Sequence, residues 1–202
     1  MRRTDPRSER SQLAYREALT RLLQRKPLDQ ISVSELSVEA GLNRSTFYLH
    51  YSNVRELLDD IENDMLAEFQ AMLDRFTERT GGEVVPLFDP FDRTSIATLA
   101  ELFTIIRNNA GYAATMLANP TESRLLRRVL EEGRETTMRL WRPLLEKESQ
   151  TFLDYYYNFI AGGFIGTTLN WIEEGMRMQP LELAQLCLRF IYQGMLPSRG
   201  CR

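Results

Sequence analysis

A chain of 202 residues, 43% apolar and 26% charged, is long enough to bury a sizeable core and has the balance of an ordinary soluble protein. Its formal charge of −3 is unevenly placed: residues 1–55 carry ten Arg and Lys against six Asp and Glu, the remainder fifteen against twenty-two. Cys187, Cys201 and the single histidine, His50, match no metal-ligand spacing, so neither a metal site nor a cofactor is expected. The longest apolar run, "FIAGGFIGTTLNW", falls short of the roughly 20 residues a membrane span needs. No signal-like apolar segment follows the basic start, so no membrane partner and a cytoplasmic location are expected. A basic first quarter ahead of an acidic remainder suits a polyanion-binding end on a portion that nucleic acid avoids.

No alternating strand pattern occurs, and the chain reads as helices throughout. Tyr15, Ala18, Leu19, Leu22 and Leu23 recur at helical spacing and predict a helix over 8–25, closed by Pro27. Ser32, with Glu35 three positions on, has the form of a capping box and opens a short helix through Ala40, with Gly41 in the turn after it. Asn43 can cap a second short helix, "RSTFYLHY". Asn53 with Glu56 repeats the box before a long helix whose stripe is Leu58, Ile61, Met65, Phe69, Met72 and Phe76. A Gly- and Pro-containing connection at about 80–92 precedes helices over 93–108, 110–118, 121–147, 150–176 and 180–196. Pro120 and Pro180 stand at helix starts, where proline is tolerated, whereas Pro143 predicts a kink or restart near Trp141.

Two short capped helices joined by a turn of about three residues containing a glycine form a helix-turn-helix. The first has Val33, Leu36 and Ala40 for packing; the second is expected to expose Arg44, Ser45, Thr46, Tyr48 and His50 while Phe47 and Tyr51 turn inward. Small hydroxyls admit a helix to a DNA groove, arginine reads guanine or grips phosphate, and tyrosine and histidine donate to phosphate oxygens. Free N–H groups at the helix starts near Val33 and Arg44 add donors. The same residues also suit a purely structural hairpin with a packed histidine. As an enzymatic base His50 has no second acid, base or nucleophile beside it, and no enzyme is expected.

The series "ISVSELSVEAGLNRSTFYLHYSNVRELL" resembles the N-terminal part of the TetR family of transcriptional regulators, over about residues 8–70. The family's elements fall here on Ile31 to Val33, Ala40 with Gly41, the Tyr48, Leu49, His50, Tyr51 run, and Arg55 to Leu57. The resemblance implies an all-α fold: an N-terminal three-helix helix-turn-helix DNA-binding domain over 1–55, extending to about 70, joined by a long shared helix to a C-terminal helical ligand-binding and dimerisation domain over 56–202. It places Arg44, Ser45 and Thr46 on bases and nearby phosphates, with Val33, Asn43, Tyr48 and His50 along the backbone of double-stranded DNA. The family's usual lysine anchor is replaced by Val54, leaving Arg55 as the candidate substitute.

Further on, "YYYNFIAGGFIGTTLNWIEEGMRMQPLEL" resembles the last two helices of a subgroup that includes regulators of dihydroxyacetone kinase. This implies a homodimer paired through a four-helix interface. Gly162 and Gly166, four apart on one helix face, would admit another backbone there, or pack within the chain. A two-fold dimer also suits a palindromic operator, since one helix in one groove reads few bases. Candidate walls of an effector pocket are Met65, Phe69, Met72, Phe103, Met116, Trp141, Tyr155 and Phe159, residue types that build adaptable pockets and ordinary cores alike. The expected function is a homodimeric repressor released from its operator by a small-molecule or protein effector. The alternative is an activator or co-regulator of the same fold under a protein partner.

Overall fold

The computed structural model of the chain describes residues 6–80, 92–118, 123–144 and 146–195, without the side chains at 140, 141, 143, 144 and 192–195. The expected connection at 80–92 beyond Thr80, the helix start at Pro120 and the tail with Cys201 therefore lie outside the described residues. Within them the secondary structure is helical: α1 Pro6–Leu23, a 3₁₀ turn Leu28–Gln30, α2 Val33–Ala40, α3 Arg44–Tyr48, α4 Val54–Thr80, α5 Arg93–Asn108, α6 Ala110–Ala118, α7 Arg124–Leu144, α8 Gln150–Glu173 and α9 Pro180–Met195.

The N-cap side chains act as expected, with one exception. Ser32 Oγ accepts from the Glu35 N–H at 3.2 Å, and Gly41 ends α2 at φ 67°, a left-handed conformation that only glycine adopts without strain. Glu35 does not complete the box, because its carboxylate pairs with Lys26 across the turn. At the start of α4, Asn53 Oδ1 accepts from the Glu56 N–H at 2.9 Å and Glu56 accepts in return from the Ser52 N–H at 2.6 Å. Asn43 is the exception: it precedes α3 in extended conformation, but its side chain caps nothing.

Three boundaries differ from expectation. α3 is only five residues long, and the "LHY" that follows leaves the helix in a turn whose N–H groups, from His50 and Tyr51, bond the Phe47 carbonyl. α7 is one helix through positions 141 and 143 and stops at Leu144 without a restart. Pro143 has no N–H to give the carbonyl of Arg139, and α7 ends one residue after it. α8 ends at Glu173 because Gly175 and Met176 both take positive φ, 76° and 54°.

α4 is about 40 Å long, and its whole expected stripe is buried. Near its start Leu57, Leu58 and Ile61 share one core with Tyr15, Leu19, Leu36 and Phe47; Met65 and Leu66 carry that core on to Tyr112 and Met116 of α6 and Leu125 and Leu126 of α7. Past its middle, Phe69 and Met72 pack with Ile105 of α5. A further core joins α5 to α9, with Phe103, Trp171, Cys187 and Leu188 buried in it. Burial pushes the Cys187 thiol up to about 12, as expected for a cysteine that serves as a small apolar residue.

α6 packs back onto α1 through Gly111. A β-carbon there would stand 2.2 Å from Thr20 Cγ2 and 2.9 Å from Gln24 Nε2, so the close approach requires glycine. Gly111→Val is expected to force α6 from α1 and cost about 1–3 kcal/mol, the usual range for overpacking, read from urea denaturation.

Candidate functional site

α3 is held from beneath by aromatic packing. Phe47 is fully buried, edge-on to Tyr15 at 5.2 Å and 5.6 Å from Tyr51. The Tyr15 hydroxyl donates to the Asn43 carbonyl at 2.8 Å, fixing the start of α3 to α1. Tyr51 donates to Asp60 at 2.9 Å, and burial with that bond pushes its hydroxyl up to about 12. Arg16 closes the arrangement by binding Asp60 at 2.7 Å and Asp64 at 2.6 Å, tying α1 to α4. Arg21 ties α1 to α2 through Glu39 at 2.6 Å, which holds the Glu39 carboxyl below its usual range.

These pairs use up part of the basic excess of the first 55 residues. Arg44 and Arg55 have no ion pair among the described residues, and both side chains are exposed. Around Arg44 lie exposed Asn43 and Ser45, half-buried Thr46, and Tyr48 with 59% of its surface open. Val33 is half-buried, with its side chain against the core, so its outward contribution is the backbone at the start of α2. Val54 is buried in the core, whereas the neighbouring Arg55 projects from the first turn of α4.

His50 is half-buried rather than freely exposed. Its Nε2 lies 2.9 Å from Ser11 Oγ, and the Ser11 hydroxyl donates to the Ser8 carbonyl at 2.8 Å. The Ser11 hydroxyl is thus shared between the Ser8 carbonyl and the His50 ring. The ring is thereby clamped to α1 at the edge of the ridge. Leu49 and Val38, 79% and 82% exposed on the same helix-turn-helix, carry a signal the sequence reading missed: apolar side chains where a soluble domain gains nothing by showing them.

A second feature is a partly open apolar chamber of about 210 Å³ between α4, α5, α6, α7 and α8. Met65, Phe69, Met72, Phe103 and Met116 line it, as the sequence suggested. Tyr155 and Phe159 do not: they are 75% and 78% exposed and face outward from α8. The Trp141 side chain lies outside the described residues. α8 is apolar nearly all round, so spacing could not separate its chamber face, with Tyr157, Ile160 and Phe164, from its outer one. Also missed were Thr98 and Gly133 on the wall; a β-carbon at Gly133 would already stand 3.3 Å from the Tyr157 hydroxyl.

The outer face of α8 is the third feature. Phe152, Tyr155, Phe159, Gly162, Gly163 and Gly166 are exposed there, and a β-carbon on any of the three glycines meets nothing within 4 Å. Packing against the described residues is therefore not what these glycines serve.

Two family models match the chain. One, described as bacterial regulatory proteins of the tetR family, covers residues 16–61, and the other, a transcriptional regulator C-terminal region, covers residues 94–193. A sequence search of curated proteins finds no match. Among solved structures, the fatty acid degradation regulator FadR of Bacillus halodurans aligns at a TM-score of 0.62 and 12% identity, over 96% of this chain and 98% of that one. FadR of Bacillus subtilis, in complex with stearoyl-CoA, gives 0.62 and 12% over 91% and 99%. A TetR-like regulator of Rhodococcus sp. RHA1 gives 0.56 and 15% over 96% and 98%. At these identities the structures establish a shared fold. The helix-turn-helix, the long α4 and the matched stretches on both sides of it together place the chain in the TetR family of transcriptional regulators, not among enzymes.

Proposed function

We propose that the protein is a homodimeric DNA-binding repressor whose hold on a palindromic operator is released by an effector. Residues 1–55 would form the DNA-binding domain, with α4 shared, and residues 56–202 the regulatory and dimerisation domain, in the cytoplasm. The observation that carries the reading is the ridge from Asn43 to His50, open on one side and braced on the other by Phe47, Tyr15 and Tyr51. Arg44, Ser45 and Thr46 enter the major groove; Asn43, Tyr48, His50, Arg55 and the start of α2 at Val33 hold the phosphates. Leu49 supplies an apolar contact suited to a thymine methyl.

The apolar chamber favours a small molecule as effector over a protein partner, and the Bacillus subtilis relative was itself solved in complex with a small molecule, stearoyl-CoA. Met65 and Met116 on its wall belong to α4 and α6, the helices that meet α1 and the helix-turn-helix. A ligand preferring a shifted α4 or α6 tilts the ridges and changes their spacing, releasing DNA by its differential affinity for the two states.

Gel-shift titration on DNA flanking the protein's own gene, at two salt concentrations, tests the reading. Sequence-selective binding that weakens steeply with salt is expected. Arg44→Ala should lose about 1–3 kcal/mol at the cognate site and relax the preference there, whereas His50→Ala should weaken all sites alike. Unchanged binding by both variants would remove the ridge from the DNA interface.

A further inference from the structure

We propose that Leu49 makes the protein a reader of the pyrimidine C5-methyl group, so that 5-methylcytosine serves in its operator where thymine does and plain cytosine does not. This rests on the reading of the ridge as the DNA interface and adds what the ridge asks of one base pair.

Direction is the first constraint. Phe47 and Tyr51, one turn apart, both face the core. Leu49 lies two residues from each, and at about 100° per residue that puts its side chain on the opposite side. Its backbone keeps the right-handed helical conformation, with φ −71° and ψ −22°, and the Tyr51 N–H still bonds the Phe47 carbonyl. The helical track therefore runs on through Leu49, although α3 ends at Tyr48. Ser45, also two residues from Phe47 and exposed, occupies the same crest one turn earlier. Four residues rise about 6 Å, a little under two base-pair steps of about 3.4 Å. Leu49 thus meets a base pair about two steps from the one beside Ser45.

Chemistry is the second. A leucine side chain neither donates nor accepts a hydrogen bond, so it gains nothing from phosphate or from the polar edges of bases. Leu49 is mostly exposed among Arg44, Ser45 and Tyr48, a setting that selects a polyanion over an apolar protein surface. The apolar group that a duplex offers in its major groove is the methyl on C5 of thymine. In 5-methylcytosine the same methyl sits at the same ring position.

The two bases differ at C4, where thymine presents an acceptor and cytosine a donor. Telling them apart takes a hydrogen-bonding side chain beyond Leu49 on the crest, and the ridge ends there: His50 is turned to Ser11 of α1, and Tyr51 to Asp60 of α4. Val38, the other exposed apolar residue of the motif, belongs to α2, the helix that crosses the backbone and does not enter the groove.

Gel-shift titration with duplexes selected by the full chain from a random pool tests the proposal. In the tightest-binding duplex each thymine is replaced in turn by deoxyuridine, which removes only the methyl. One position in each half-site is expected to lose about fourfold in affinity, the value of burying one such group, and about fifteenfold when both half-sites are changed. At that position a cytosine–guanine pair should gain about the same factor when its cytosine is 5-methylated. Leu49→Ala should bind thymine and deoxyuridine duplexes alike, and methylated and plain cytosine duplexes alike. Its side chain is outside the core, so the variant should fold as the parent does. Tyr48→Ala should weaken every duplex and keep the ratios, and Val38→Ala should keep them too. A deoxyuridine penalty that survives in L49A, one abolished by V38A instead, or a methylated pair bound no better than the plain one would overturn the proposal. So would the absence of any penalty while Arg44→Ala still relaxes sequence preference, an outcome that leaves the ridge on DNA. No sequence-selective binding at all would overturn both.

Discussion

Replacing Phe47 with alanine is expected to lower the stability of the chain by about 3–5 kcal/mol and to abolish DNA binding with it. The ring has no exposed surface, and it is the piece on which α3 is seated: Tyr15 meets its edge, Tyr51 lies beside it, and Leu36, Leu57 and Leu58 fill the same core. Truncation leaves a cavity between α1, α3 and α4, and it removes aromatic contacts worth about 0.5–1.5 kcal/mol beyond area alone. For a chain of this size the melting temperature should fall by roughly 10 °C. Tyr48→Ala is the control, because Tyr48 is next in sequence but mostly exposed. That variant gives up only an edge-on contact with Phe47 at 5.6 Å, so it should melt within a few degrees of the parent and still bind DNA more weakly. A Phe47→Ala protein of unchanged melting temperature would mean that the ridge is not built on this core.

What the sequence discloses follows from where information is local. Caps are local, so Ser32 and Asn53 start their helices where expected, and Gly41 stops α2. Asn43 breaks the rule because α3 is seated by the Tyr15 hydroxyl on the Asn43 carbonyl, a contact from 28 residues away that no local pattern records. One-sided stripes are also legible: every expected apolar position of α4 is buried. α8 is not one-sided. Its aromatic residues recur on every face, and only the fold separates Tyr157 and Phe164 on the chamber from Tyr155 and Phe159 on the outside. Thr98 was illegible for a related reason, since a threonine inside a helix normally satisfies itself, and only the structure reveals one that does not. His50 was legible as belonging to the ridge but not as clamped by Ser11, which lies 39 positions earlier in the chain.

The outer face of α8 supports the second large effect. Tyr155, Phe159, Gly162 and Gly166 recur at three- and four-residue spacing on one exposed side, so two bulky aromatics stand beside a strip of bare backbone. Phe190 of α9, 57% exposed, extends the apolar surface, and a groove lined by Phe159, Gly163, Thr167 and Phe190 runs between the two helices. In the proposed dimer the glycines let the partner's helix approach while the aromatics pack beside them. Gly162→Arg separates pairing from folding. A β-carbon at 162 meets nothing within 4 Å, and replacing a glycine inside a helix gains up to about 1 kcal/mol, so the isolated chain should melt no lower than the parent. Two arginines brought together by a two-fold axis at that point would instead hold the helices apart and repel each other. Sedimentation should then report half the parent mass. DNA affinity should drop by about 10³-fold or more, the gap between specific binding at about 10⁻⁸ M or tighter and non-specific binding at about 10⁻⁴–10⁻⁶ M, because a lone chain grips one half-site. A G162R protein that keeps both the parent mass and its operator affinity would exclude this face of α8 as the place where two copies meet.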